Sequence, residues 1–120
     1  GKKIAIWGLA FKPETDDMRE SPALALIESL LNAGCVVRVY DPVAMEECRR
    51  RIGDVVEYSA NMYDAVIDAE VIFHVTEWKE FRMPSWKVIK KAMRANPVLI
   101  DGRNVYSGSD LEGINYLKIG

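Results

Sequence analysis

Cysteine is scarce: Cys35 and Cys48 are the only two in 120 residues. That excludes a disulfide-framed fold, and their separation fits no zinc-ligand spacing. A reducing, cytoplasmic setting is the simplest expectation. Long apolar runs are also missing. None approaches the roughly 20 residues needed to cross a bilayer, and the opening Gly1-Lys2-Lys3-Ile4-Ala5-Ile6 is too short in its apolar part for a signal peptide. Neither sign of charge dominates, with a formal net charge of -2, so no nucleic acid or anionic membrane is expected as a whole-surface partner. Glycine is thin where it would matter most. After the first apolar run only Gly8 occurs before Gly34, so the G-x-G-x-x-G turn is absent and no dinucleotide is expected on the following helix in the usual way.

What remains is the composition of one soluble globular domain over residues 1–120, with 49% hydrophobic and 28% charged residues. The chain opens directly on a strand, without Met or leader, and so reads as a piece of a longer protein. Short β-branched runs alternate with amphipathic stretches. Lys3 to Trp7, Cys35 to Tyr40, Val55 to Tyr58, Val71 to Val75, Pro97 to Ile100 and Ile114 to Ile119 are expected strands. Helices are expected from Ser21-Pro22 to a Gly34 cap, from Val43 to Arg51, from Met62 to Asp68 and from Pro84 to Arg94. This alternation predicts an α/β fold: a three-layer, mostly parallel Rossmann-like sheet with helices on both faces.

In such sheets ligands bind beyond the carboxyl ends of the strands, near the reversal of strand order. The residues just after each strand are therefore the candidates. Gly8 to Ser21 brings Lys12 and Arg19 to that rim, next to a helix N-terminus that would favour phosphate. Asp101-Gly102-Arg103-Asn104 projects Arg103 from the same rim. Lys12 as a mobile point charge and Arg103 as a two-pronged donor could hold a diphosphate between them. Blander readings stand beside these. Lys12 could be merely solvated, and Arg19 could pair with Asp16, Asp17 or Glu20. His74 reads as a satisfied core histidine, Cys35 and Cys48 as inert packing, and Asp16-Asp17 as a turn rather than a metal site.

The run G-L-A-F-K-P-E-T-D-D-M-R-E-S-P, Gly8 to Pro22, is similar to the opening of the C-terminal domain in the UDP-glucose/GDP-mannose dehydrogenase family. Tyr40-Asp41-Pro42, Thr76-Glu77-Trp78 and Asp101-Gly102-Arg103-Asn104 follow in the family's order. T-E-W-K-E-F and D-G-R-N look most like its UDP-glucose branch. The resemblance implies the nucleotide-sugar-binding domain of an NAD-dependent UDP-glucose 6-dehydrogenase, which makes UDP-glucuronate by two successive hydride transfers. It implies Phe11, Lys12 and Arg103 as substrate-binding residues, Arg19 as a residue reaching the NAD, and a homodimer when intact. NAD and the catalytic cysteine would belong to N-terminal and central domains outside this chain. No segment like the family's glycine-rich nucleophile is present, so no catalytic residue is expected here and no catalysis by the chain alone.

Other readings are the same domain of a GDP-mannose or UDP-N-acetylmannosamine dehydrogenase, or a non-catalytic interaction module. A flavodoxin-like receiver domain would need an Asp ending the middle strand, where this chain has His74-Val75-Thr76-Glu77.

Overall fold

The computed structural model describes residues 1–103, 105–106, 111 and 113–119. The strands are β1 (Lys3–Trp7), β2 (Val36–Tyr40), β3 (Glu57–Tyr58), β4 (Val71–His74), β5 (Val98–Asp101) and β6 (Asn115–Lys118). They form a six-stranded sheet in the order β3-β2-β1-β4-β5-β6, with every pair parallel. The predicted α/β class is what forms, and the sheet is parallel throughout. The order reverses between β1 and β4, so the carboxyl ends of these two strands flank the crevice where such sheets take ligands.

Each helix has a local cause. α1 (Pro22–Asn32) starts at Ser21, whose hydroxyl accepts from the Ala23 N–H, with Pro22 in its first turn. It ends at Gly34, where φ of +84° suits a residue without Cβ. Ala23 and Ile27 are its fully buried contacts. α2 (Met45–Ile52) starts two residues later than expected, because Val43 and Ala44 are drawn into a turn by the Asp41 carboxylate. α3 (Trp86–Ala92) is shorter than the Pro84–Arg94 expectation and is capped by the Ser85 hydroxyl. The helix expected over 62–68 is instead a 3₁₀ turn at Asp64–Val66. There the Asn61 side chain accepts from the Tyr63 and Asp64 N–H groups and winds the chain tightly. A second 3₁₀ turn, Lys79–Phe81, was not visible in the sequence pattern.

Parallel register aligns Trp7 with His74 and His74 with Asp101 on the α3 face of the sheet. Trp7 stacks on Phe81 with ring centroids 5.3 Å apart and lies 6.3 Å from Trp86. Its indole N–H donates to the Met62 carbonyl at 3.0 Å. Full burial of one such side chain contributes about 1.5–3 kcal/mol, so this aromatic layer anchors the rim loops directly above it.

The loop after β1 is folded rather than open. The Phe11 N–H donates to the Asp17 carbonyl at 2.6 Å, and Met18 is fully buried beneath it. Gly8 makes the closest approach. Its φ is +99°, and a Cβ there would lie 2.4 Å from the Thr76 Cβ. Gly8→Ala therefore combines left-handed backbone strain with overpacking. A loss of about 2–5 kcal/mol is expected in urea unfolding monitored by circular dichroism, and a change within 0.5 kcal/mol would contradict this account.

Candidate functional site

Three loops, after β1, β2 and β4, converge on one buried carboxylate. Asp41 ends β2 and is inaccessible to solvent. Its Oδ2 accepts from the Leu9 N–H at 2.7 Å, the Ala10 N–H at 3.1 Å and the Trp78 indole N–H at 3.0 Å. Its Oδ1 accepts from the Val43 and Ala44 N–H groups, both at 2.8 Å. A buried carboxylate is tolerable when its lone pairs are filled in this way. Two hydroxyls add to the tie: Thr76 donates to the Ala10 carbonyl at 2.7 Å and Ser21 to the Leu9 carbonyl at 2.6 Å. Thr76 and Trp78 thus fix the chain that leads into Phe11 and Lys12.

Asp101 does the same at the end of β5 and is equally buried. Its Oδ1 accepts from the His74 Nδ1–H and the Arg103 N–H, each at 2.9 Å. Its Oδ2 accepts from the Val105 N–H at 3.0 Å, the Tyr106 N–H at 3.4 Å and the Tyr116 hydroxyl at 2.6 Å. Burial alone would raise its pKa, but the bonds from His74, Tyr116 and the Arg103 backbone outweigh it and hold the carboxyl at about 2. Burial lowers the His74 pKa against the pull of that carboxylate, so the ring is neutral and gives its one N–H to Asp101. His74 is thus a core histidine, but one only half satisfied. Nε2 has no hydrogen-bond partner among the described residues, and the ring lies against Phe81 and Tyr106.

Arg103 leaves this turn and crosses β4. Its Nε–H donates to the Val75 carbonyl at 2.7 Å, and one Nη2–H donates to the Phe11 carbonyl at 3.3 Å. The guanidinium therefore sits against the peptide that joins Phe11 to Lys12, over the reversal of strand order. Its charge is uncompensated: no carboxylate pairs with it among the described residues, whereas Arg19, Arg38, Arg49, Arg50 and Arg51 each face one. Lys12 is exposed and likewise has no side-chain partner among the described residues. Asn104 lies outside the described residues.

The other candidates lie less centrally. Arg19 grips Asp17 as a fork, Nε to Oδ1 at 3.1 Å and Nη2 to Oδ2 at 3.0 Å, which pulls the Asp17 carboxyl down to about 2. With Phe11 and Glu20 this pair lines a cleft of about 330 Å³. Arg103 instead stands at the mouth of a separate, apolar cleft of about 320 Å³ between α1 and the sheet, with Leu26, Phe73, Ile100 and Ile119. Lys12 lines neither. The structure thus joins Arg103 to the Phe11–Lys12 backbone and leaves Arg19 in its own ion pair.

The α1 N-terminus is not the open anion site that its position promised. Pro22 has no N–H, the Ala23 N–H is taken by the Ser21 hydroxyl, and the Leu24 N–H reaches the Ser21 carbonyl at 3.3 Å. Cys48 is buried and its thiol pKa is raised by that burial, so it is a packing residue and no nucleophile.

Residues 5–108 match the profile of the UDP-glucose/GDP-mannose dehydrogenase family, UDP binding domain. The chain is 42% identical over 125 residues to the UDP-glucose 6-dehydrogenase of Pseudomonas aeruginosa, an alignment spanning 100% of this chain and 27% of that protein. A UDP-glucose dehydrogenase from Pyrobaculum islandicum superposes with a TM-score of 0.81 at 32% identity, over 98% of this chain and 25% of that one. A UDP-D-ManNAc dehydrogenase from Pyrococcus horikoshii does so with a TM-score of 0.77 at 33% identity, over 98% and 25%. The chain thus spans about a quarter of the length of the relatives it matches. With a parallel sheet of the expected class and its rim built from the very runs that carry the likeness, this chain belongs to the UDP-glucose/GDP-mannose dehydrogenase family, in the part that the family profile describes as UDP binding.

Proposed function

We propose that this chain is the C-terminal, nucleotide-sugar-binding domain of an NAD-dependent UDP-glucose 6-dehydrogenase, and that its task is to grip the diphosphate of UDP-glucose. The observation that carries the reading is the Arg103 guanidinium, held by two backbone carbonyls, one peptide from Lys12, with no carboxylate beside it among the described residues. Two of its five N–H groups are used in this hold, which leaves three to face an anion. Phe11 is partly exposed beside the same loop and offers a ring for contact with the rest of the ligand. The same domain of a UDP-N-acetylmannosamine or GDP-mannose dehydrogenase is the second reading, favoured by the fit to the Pyrococcus horikoshii structure.

In this proposal the chemistry lies elsewhere in the polypeptide. NAD, when bound, accepts hydride from the sugar; this chain's share is to hold and orient the substrate. Arg19 would turn from Asp17 toward the cofactor when the domains close. The apolar strip on the α1 side of β4, β5 and β6, with Leu117 and Ile119 more than half exposed, suits contact with the remaining three quarters of such a polypeptide. A homodimer and a cytoplasmic setting belong to the same proposal. No helix among the described residues is long and apolar enough to cross a membrane.

Titration of the ¹⁵N-labelled chain with UDP and with UDP-glucose tests the site directly. Shifts are expected at Phe11, Lys12 and the Arg103 side chain. Loss of one charge-assisted phosphate bond in Arg103→Ala should weaken UDP by about 10- to 150-fold, and raise KM for the sugar nucleotide to a like degree in the intact enzyme. Shifts that follow protein concentration and ignore nucleotide would speak for an interaction module instead. Arg19→Ala in the intact enzyme should raise KM for NAD while sparing that for the sugar nucleotide; the opposite pattern would refute its assignment.

A further inference from the structure

We propose that Asp101 is a positioning residue for Arg103, and that His74 and Tyr116 hold Asp101 for that purpose. The inference rests on the reading of Arg103 as the ligand of a nucleoside diphosphate, and deepens it. Arg103 reaches the rim from a turn, and the turn is folded around one carboxylate. The same Oδ1 that takes the Arg103 N–H at 2.9 Å takes the His74 Nδ1–H at 2.9 Å. Gly102 between them lies flat on β4, with its N–H on the His74 carbonyl at 3.0 Å. A Cβ on Gly102 would press to 3.2 Å from that oxygen. The first two residues of the turn are thereby fastened to β4, and from there the guanidinium spans Val75 to Phe11.

The carboxylate has a second effect. An aspartate two residues from an arginine ordinarily competes for its guanidinium, as Asp17 does for Arg19. Asp101 does not, because N–H and O–H donors from His74, Arg103, Val105, Tyr106 and Tyr116 already occupy its two oxygens. A saturated carboxylate shapes the turn and leaves the cation for an outside anion. An asparagine could not do this. Its NH₂ would face N–H or O–H donors on one side or the other. On the Oδ1 side His74 could change tautomer and accept, but the Arg103 N–H has no such option.

A double-mutant cycle on the ¹⁵N-labelled chain, read as the Kd for UDP, tests this. Arg103→Ala should weaken UDP by about 10- to 150-fold and Asp101→Asn by about 5- to 20-fold. The double variant should bind no more than about twofold worse than Arg103→Ala alone, since Asp101 acts through Arg103. A merely structural Asp101 would give full additivity, and that result, or unchanged affinity in a folded Asp101→Asn chain, overturns the proposal. Unchanged affinity in Arg103→Ala instead overturns the ligand reading beneath it, so one variant separates the two failures. Should Asp101→Asn not fold, Tyr116→Phe removes a single donor from Oδ2. It should shift the free Arg103 Nε–H resonance and weaken UDP by about 2- to 5-fold, again only when Arg103 is present. An unmoved resonance and an unchanged Kd in that variant would equally refute it.

Discussion

Two buried carboxylates, each filled by at least five hydrogen-bond donors, decide the shape of the functional rim. Burying an ionised carboxyl costs several kcal/mol unless its lone pairs are occupied. Asp41 and Asp101 meet that demand with backbone N–H groups from the loops themselves. The demand also works in reverse. The loops after β1, β2 and β4 must come together for their donors to converge on Asp41, and the turn after β5 must fold back for its N–H groups to reach Asp101. A chain segment that would otherwise be a solvated connection is thereby held in place. The preorganisation that an anion site needs follows from an electrostatic requirement inside the fold.

The two hubs sit on either side of the switch point. Asp41 governs β2 and the start of the Phe11–Lys12 loop; Asp101 governs β5 and Arg103. Between them lie β1 and β4, and Arg103 bridges the gap by resting on Val75 and Phe11. Below runs the aromatic layer of Trp7, Phe81 and Tyr106, with the Tyr106 hydroxyl on the Phe81 carbonyl. Packing beneath and filled carboxylates above hold the loops from which Lys12 and Arg103 reach the rim. That arrangement suits a domain whose ligand is anionic and whose reaction partner lies on another part of the polypeptide.

Much of this was legible in the residues, and for physical reasons. A continuous apolar run such as Ile4-Ala5-Ile6-Trp7 can only be a strand covered on both faces, and Ser21-Pro22 with Gly34 bracket a helix by their own chemistry. Strand ends then pointed to Lys12, Arg19 and Arg103, and the family resemblance added Phe11. The hubs were not legible, because nothing local separates an Asp that ends a strand in solvent from one that accepts five bonds from residues up to 37 positions away. The signal that could have found them is the pairing of Tyr40-Asp41-Pro42 with a distant Trp78, a donor that needs a buried acceptor. Short elements failed for a related reason. Over 62–68 the apolar spacing allowed a helix, but Asn61 competes for the first N–H groups and the chain needs only one turn before β4.

Most of the arginines that face a carboxylate serve the scaffold. Arg38 pairs with Glu57 and also caps the carbonyls of Asp64 and Ile67, so it ties β2 to the 3₁₀ turn at its side. Arg50 and Arg51 share Glu47 on the same helix face, and Arg49 lies over the Tyr58 ring. Each has a partner that makes an external anion redundant. Arg103 has been given carbonyls, which orient a guanidinium without neutralising it, while the Asp101 carboxylate is occupied by backbone N–H groups and by His74 and Tyr116. An ion pair with Arg103 would take the Asp101 carboxylate away from buried donors that have no other acceptor, so the carboxylate stays with the turn. In the proposed function, that arrangement leaves the Arg103 charge for a diphosphate.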